Sequence, residues 1–124
     1  MMNEIADITP EERIELAKIR YRPGAYLGSP SITALSHFLN GFSYAMYKTD
    51  QTEEHNILPE GLHQFAAKEL LGNDNSSAGW WGIILHTNGR DEEKSFYAFF
   101  ELLDKYLASL GYEPIPKWED ISDT

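Results

Sequence analysis

The sequence predicts an all-α fold, a compact bundle of about five helices with an irregular C-terminal tail, in one globular helical domain spanning residues 1–124. Apolar residues recur at helical spacing in most of the longer segments, and helix start and stop signals flank those segments. The composition, 42% hydrophobic and 24% charged, is that of an ordinary globular chain. A chain of 124 residues should also bury about two-thirds of the surface that its unfolded form exposes.

The first predicted helix begins at Pro10 and ends at about Tyr21. Thr9 and Glu12 have the spacing of a capping box around the first helical position. Pro23 disfavours the helical conformation of the residue before it, which ends the helix.

A turn over residues 23–30 leads to the second predicted helix, for which Ser29 or Ser31 can serve as N-cap. Gly41 lies inside this helix, where glycine lowers helix stability by up to about 1 kcal/mol relative to alanine. A glycine at such a position predicts close approach by a neighbouring helix. The polar stretch KTDQTEEHN predicts a loop after it. The apolar stripe has a 3,4,3,4 spacing and consists of Ile32, Leu35, Leu39, Phe42 and Met46.

The third helix is predicted over about residues 59–71, with Gly72 suited to the left-handed position after its end. The run WWGIILHTNG is too short for its period to decide the structure. We predict a fourth helix there, and the alternative is a buried strand, because Trp80, Trp81 and isoleucine are all good strand residues.

The last helix is the most strongly patterned. Asp91 is its expected N-cap, Glu92 and Glu93 stand in the first turn where the helix dipole favours anions, and Gly111 ends it. The tail after it contains two prolines and cannot continue the helix. Three of its residues are expected to lie against the body as apolar anchors: Tyr112, Ile115 and Trp118.

The formal charge of −10 comes from 20 acidic and 10 basic residues, and nine of the acids follow residue 90. Nucleic acid is therefore a poor partner, since binding phosphates requires clustered lysine and arginine. A basic protein is a better match, although a solvated surface that keeps the chain soluble would explain the same charge.

No apolar run is long enough to span a membrane and no signal peptide is recognisable. We expect a cytoplasmic protein with no membrane partner.

The sequence offers no recognised catalytic pattern. There is no Gly-x-Ser-x-Gly elbow, no His-Glu-x-x-His motif, no P-loop and no dinucleotide fingerprint. Cysteine is absent, which excludes disulfides and thiolate chemistry. We therefore expect no catalytic residue, no metal site and no cofactor. The alternative is a small all-α enzyme that assembles a site from separate helices, with residues such as His63, His86 and Glu101.

The segment RPGAYLG resembles the RPGMYIG segment of gyrase-type ATPases. Those ATPases also carry an acidic residue and an asparagine on the next helix, an Asp-x-Gly-x-Gly turn and a glycine-rich lid. The next helix here, LSHFLNGFSYAMYK, contains no acid and the later motifs do not follow. We therefore interpret this segment as a helix connection in which Tyr26 and Leu27 pack inward.

A wider resemblance covers about residues 20–107. The succession RPGAYLGSPSITALSHFLNGF, LPEGLHQFAAKELL, SAGWWGIIL and GRDEEKSFYAFFELLDKYL resembles a group of small bacterial proteins, some of them found beside polymorphic or contact-dependent growth-inhibition toxins. The resemblance implies an immunity protein that binds a cognate toxin domain and blocks it. It carries over no catalytic residue.

An inhibitor of a basic toxin cleft, such as that of a nuclease, needs exposed acids around an anchor. The candidates are Glu53 and Glu54 on the polar loop, Asp74 beside NSS, and Asp91 with Glu92 before the last helix. Trp81 is a further candidate, although a tryptophan in GWW is more often a core residue. We expect a monomer or weak homodimer, with an oligomeric scaffold as the remaining alternative.

Overall fold

Helices form all the regular secondary structure within the described part of the chain, which confirms the all-α prediction. The computed structural model describes residues 10–50, 58–72 and 78–121, and within these ranges all side chains except those of residues 10, 11, 46, 47, 49 and 50. Five helices have eight residues or more, and two are short. The helices are α1 Pro10–Tyr21, α2 Pro23–Leu27, α3 Ile32–Asp50, α4 Leu62–Leu71, α5 Trp80–Thr87, α6 Glu92–Ser109 and α7 Trp118–Ile121.

Helix α1 has the predicted bounds, although its expected cap, Thr9, lies outside the described residues. The segment predicted as a turn over residues 23–30 instead contains the short helix α2, which is followed by Gly28 with a φ of 87°. Leu27 packs against the core as predicted. The inward placement of Tyr26 is wrong, because its side chain is exposed on the surface.

Helix α3 begins where Ser31 caps it. The Ser31 hydroxyl accepts a hydrogen bond from the backbone N–H of Ala34 at 3.1 Å, which confirms one of the two predicted caps. The helix continues to Asp50, so it includes the first three residues of the segment that was predicted to be a loop. The close approach predicted at Gly41 is wrong, because this residue is exposed and a Cβ there would meet no atom within 4 Å.

Helix α4 begins at Leu62, three residues later than predicted. Gly61 precedes it with a φ of 90°, and the Tyr106 hydroxyl of α6 lies directly against this glycine. That hydroxyl donates a hydrogen bond to the Glu60 carbonyl at 2.7 Å. The turn before α4 is therefore fixed by a residue from a distant helix, which local sequence patterns do not report.

The run WWGIILHT forms helix α5, so the strand alternative is wrong. Ile83 and Ile84 are buried, and the Trp80 ring packs on Phe99 of α6 at a centroid distance of 4.8 Å. Helix α6 supplies the centre of the core. Its fully buried apolar side chains are Phe96, Phe99, Phe100, Leu103 and Leu107.

The tail returns to the body as predicted. Ile115 is buried and Tyr112 and Trp118 pack against the core. Asp104 of α6 holds this return, because its carboxylate accepts the Ile115 N–H at 2.8 Å and faces the Arg20 guanidinium at 3.1 Å. The tail is less irregular than predicted, since residues 118–121 form α7. None of the helices in the described ranges combines the length and apolar character needed to cross a bilayer.

Candidate partner-binding surface

Most of the excess negative charge lies on residues whose side chains the structure does not describe. The described side chains include all ten basic residues but twelve of the twenty acids, a net charge of −2 out of −10. Three of the predicted binding residues, Glu53, Glu54 and Asp74, lie outside the described residues, and their role stays a prediction. The other five acids whose side chains the structure does not describe are Glu4, Asp7, Glu11, Asp50 and Asp123.

Asp91 is exposed and caps α6. Its Oδ1 atom accepts a hydrogen bond from the backbone N–H of Lys94 at 2.9 Å, which confirms the predicted cap. One carboxylate oxygen is thus engaged by the helix, and the side chain remains at the surface. Its contact with a partner stays a prediction.

Glu92 links the starts of two helices. Its Oε1 atom accepts hydrogen bonds from the Ser31 hydroxyl at 2.9 Å and from the Thr33 N–H at 3.0 Å. Its Oε2 atom accepts from the Thr33 hydroxyl at 2.7 Å. The hydrogen bond from the Thr33 hydroxyl lowers the pKa of Glu92, partly offset by burial, which raises it. Because both oxygens are engaged within the chain, a partner would have to compete with α3 for this carboxylate.

Trp81 is half-buried on α5 and packs against the hydrophobic core. Its ring lies 6.3 Å from the His37 ring of α3, centroid to centroid. Much of the Trp81 side chain is therefore used in packing against the core. A role for its exposed portion in binding a partner stays a prediction.

Several basic side chains are held by partners within the fold. Arg22 lies over the Trp118 ring with its guanidinium carbon 4.6 Å from the centroid, and Arg13 lies over Tyr112 at 5.8 Å. Three more form ion pairs: Lys18 with Glu15, Arg20 with Asp104, and Lys105 with Glu69. At least five of the ten basic residues therefore have a partner within the chain, and three of these partners are acids.

The outer face of α6 carries two exposed carboxylates with no described partner. Glu93, Tyr97 and Glu101 follow one another at intervals of four residues, so they form one stripe about 12 Å long. Tyr97, between the two acids, has a relative exposure of 40%. The arrangement is an exposed aromatic residue flanked by negative charges.

Beside this stripe lies a groove between α4, α5 and α6 with a volume of about 380 Å³. Leu70, Ile84, Ala98 and Leu102 provide its apolar lining. The polar groups around it are Glu69, Thr87, Asn88, Glu101 and Lys105. Thr87 and Asn88 use their side chains to donate hydrogen bonds to backbone carbonyls of α5.

The residues suggested for the enzyme alternative lie on three helices. His63 is half-buried on α4, His86 is exposed on α5, and Glu101 is exposed on α6. Of the three, Glu101 alone lines the groove. Within the described ranges, no three histidine or acidic side chains are grouped so that they could hold a metal ion.

Comparison of the chain with protein-family models, with curated proteins and with solved structures finds no match. The likeness to immunity proteins therefore remains an expectation drawn from the sequence.

Leu70 and Leu71 are surface residues that the sequence pattern does not reveal. Their relative exposures are 37% and 38%, although Leu70 continues the helical spacing of the apolar residues Leu62 and Ala66. Helix α4 buries Ala66 and Ala67, whereas Leu70 in its last turn lines the groove against α5 and α6. How far a side chain is covered depends on how the neighbouring helices pack, which a local pattern does not describe.

Proposed function

We propose that the chain is an immunity protein, which binds a basic cognate toxin domain and blocks its active cleft without turning over a substrate. The observation that carries this proposal is the charge of −10 on 124 residues. The surface acids Glu93 and Glu101 have no described counter-ion.

Electrostatic steering supports this assignment. A strongly acidic protein raises its encounter rate with a positively charged cleft, and complementary charge suppresses wrong partners. Inhibition of this kind uses a rigid surface and no catalytic residue. Helices packed on a core of phenylalanine and leucine provide such a surface.

The test is co-expression with the product of the adjacent gene. The expected result is a complex that survives purification, together with growth protection of cells that express the neighbour. Failure of both would contradict the proposal.

A variant set assigns the binding residues. Replacing Glu53 and Glu54 with Gln and Asp74 and Asp91 with Asn should slow association, and asparagine at 91 retains a good helix cap. Glu92 is left intact because its removal would also weaken the fold. The matched control neutralises four acids elsewhere: Glu15, Glu113, Glu119 and Asp120. Equal slowing in both sets would contradict our choice of residues.

A further inference from the structure

The groove between α4, α5 and α6 has an uncompensated negative charge at its edge. Of the charged residues that line it, Glu69 and Lys105 form an ion pair with each other. Glu101 is exposed and has no described partner. The charged residues that line the groove therefore sum to a single negative charge, and the exposed Glu93 and Lys94, about two turns earlier on α6, carry opposite charges.

Apolar surface continues from this groove onto the end of α4. Leu70 lines the groove and Leu71 follows it, and both are more than one-third exposed. A volume of about 380 Å³ lies near the lower limit for ligand pockets, about 300 Å³. The space suits one or two side chains of a protein partner better than a large ligand.

Charge decides between the possible occupants. A second copy of this chain has the same net charge of −10 and the same carboxylate at this groove, which disfavours self-association. A positively charged partner gains from the same field. Such a partner would place an apolar side chain in the groove and a lysine or arginine beside Glu101.

We infer that this groove is the anchor site for the partner, and that it receives an aliphatic side chain flanked by a basic residue. The inference rests on the proposed function, because it assigns the docking position of the basic protein proposed there. The buried aliphatic group supplies the apolar contact, and the salt bridge to Glu101 fixes its orientation.

Two pairs of matched variants test the groove with the adjacent gene's product as the probe. Ala98→Leu fills the groove, whereas Ala108→Leu adds the same atoms to an exposed position of α6 outside it. We expect the first to raise the dissociation rate at least about tenfold and the second to leave it unchanged. Equal effects of the two variants, or none from Ala98→Leu, would overturn the inference.

The second pair separates local from global charge. Glu101→Lys and Glu113→Lys change the net charge equally, but only Glu101 lines the groove. We expect Glu101→Lys to speed dissociation strongly and Glu113→Lys to produce a small change in the association rate. Equal losses would show that charge acts over the whole molecule, which overturns the groove as the anchor site.

A probe independent of the toxin distinguishes failure of the groove from failure of the proposed function. A short leucine–lysine peptide is titrated into ¹⁵N-labelled protein, with a leucine–glutamate peptide of equal length as the control. Amide shifts confined to the surroundings of Leu70, Ile84 and Ala98, for the lysine peptide alone, support the groove even if the adjacent gene's product does not bind. Shifts distributed over other acidic surfaces, or no shifts, overturn it.

Discussion

At the scale of single residues, the carboxylate of Glu92 has a structural use that its position in the sequence does not reveal. The sequence places it in the first turn of a helix beside Asp91, where an acid is favourable by helix dipole alone. In the fold it accepts three hydrogen bonds from Ser31 and Thr33, 61 and 59 residues away. A residue predicted to bind a partner thus also connects α3 to α6.

We predict that Glu92→Gln lowers the free energy of unfolding by about 1 kcal/mol, because charge-assisted hydrogen bonds at a partly exposed site are lost. Urea unfolding followed by circular dichroism measures this change. Glu93→Gln is the matched control, since it removes an acid from the same helix turn without touching α3. Equal losses for the two variants would show that the helix dipole, rather than the link to α3, explains the effect.

The same contacts predict how stability depends on pH. The pKa of Glu92 is lowered in the fold by the Thr33 hydroxyl, so its stabilising contribution is present above the ordinary glutamate pKa of about 4.3 and is lost as the pH falls through the lower folded value. Unfolding measured from pH 6 to pH 3 should show a flatter decline for Glu92→Gln than for the wild type. Parallel curves would contradict this account.

Gly41 is a site where a mutation should increase stability. It is exposed in α3 with open space where a Cβ would stand, so Gly41→Ala should raise the free energy of unfolding by about 0.5–1 kcal/mol. Thermal and urea unfolding measure the gain. A loss of stability would show that the residue has a packing role in the fold.

Gly61 provides the contrasting glycine. Its φ of 90° and its contact with the Tyr106 hydroxyl leave no room for a side chain. We predict that Gly61→Ala lowers the free energy of unfolding by about 2 kcal/mol. If Gly41→Ala and Gly61→Ala change the free energy of unfolding in the same direction, this account of how α3 and α4 pack would be contradicted.

At the scale of secondary-structure elements, the helices were predictable where one local signal decides them. Pro10 and Pro23 mark the two ends of α1, and Asp91 caps α6. In both helices the apolar residues recur at helical spacing over several turns. The start of α4 was not predictable, because Tyr106 of α6 fixes the turn at Gly61. Short helices such as α2 and α7 depend on tertiary contacts, since isolated helices of this length do not form.

Asp104 connects the tail to two helices, and we predict that Asp104→Asn loosens this connection. The asparagine keeps the size of the side chain but loses the charge that faces Arg20 at 3.1 Å. Hydrogen exchange at the Ile115 amide, which donates to this carboxylate at 2.8 Å, should accelerate about tenfold. Unchanged exchange at Ile115 would show that apolar contacts of the tail hold it without Asp104.

At the scale of the whole molecule, apolar periodicity and helix capping signals predicted the fold class correctly, but they do not indicate where a partner would bind. The described side chains are nearly neutral, and most of the excess acid lies outside them. The surface that the structure adds is the groove with Glu101 at its edge, formed by residues from three helices. Such a surface depends on how helices pack, whereas sequence patterns describe each helix separately.

The most direct measurement of the central claim is the association rate between this chain and the adjacent gene's product over a range of salt concentrations. If the acidic chain acts by binding a basic protein, the two should form a complex and the rate should fall steeply as salt rises. Absence of a complex, or a rate that salt does not change, would contradict the account.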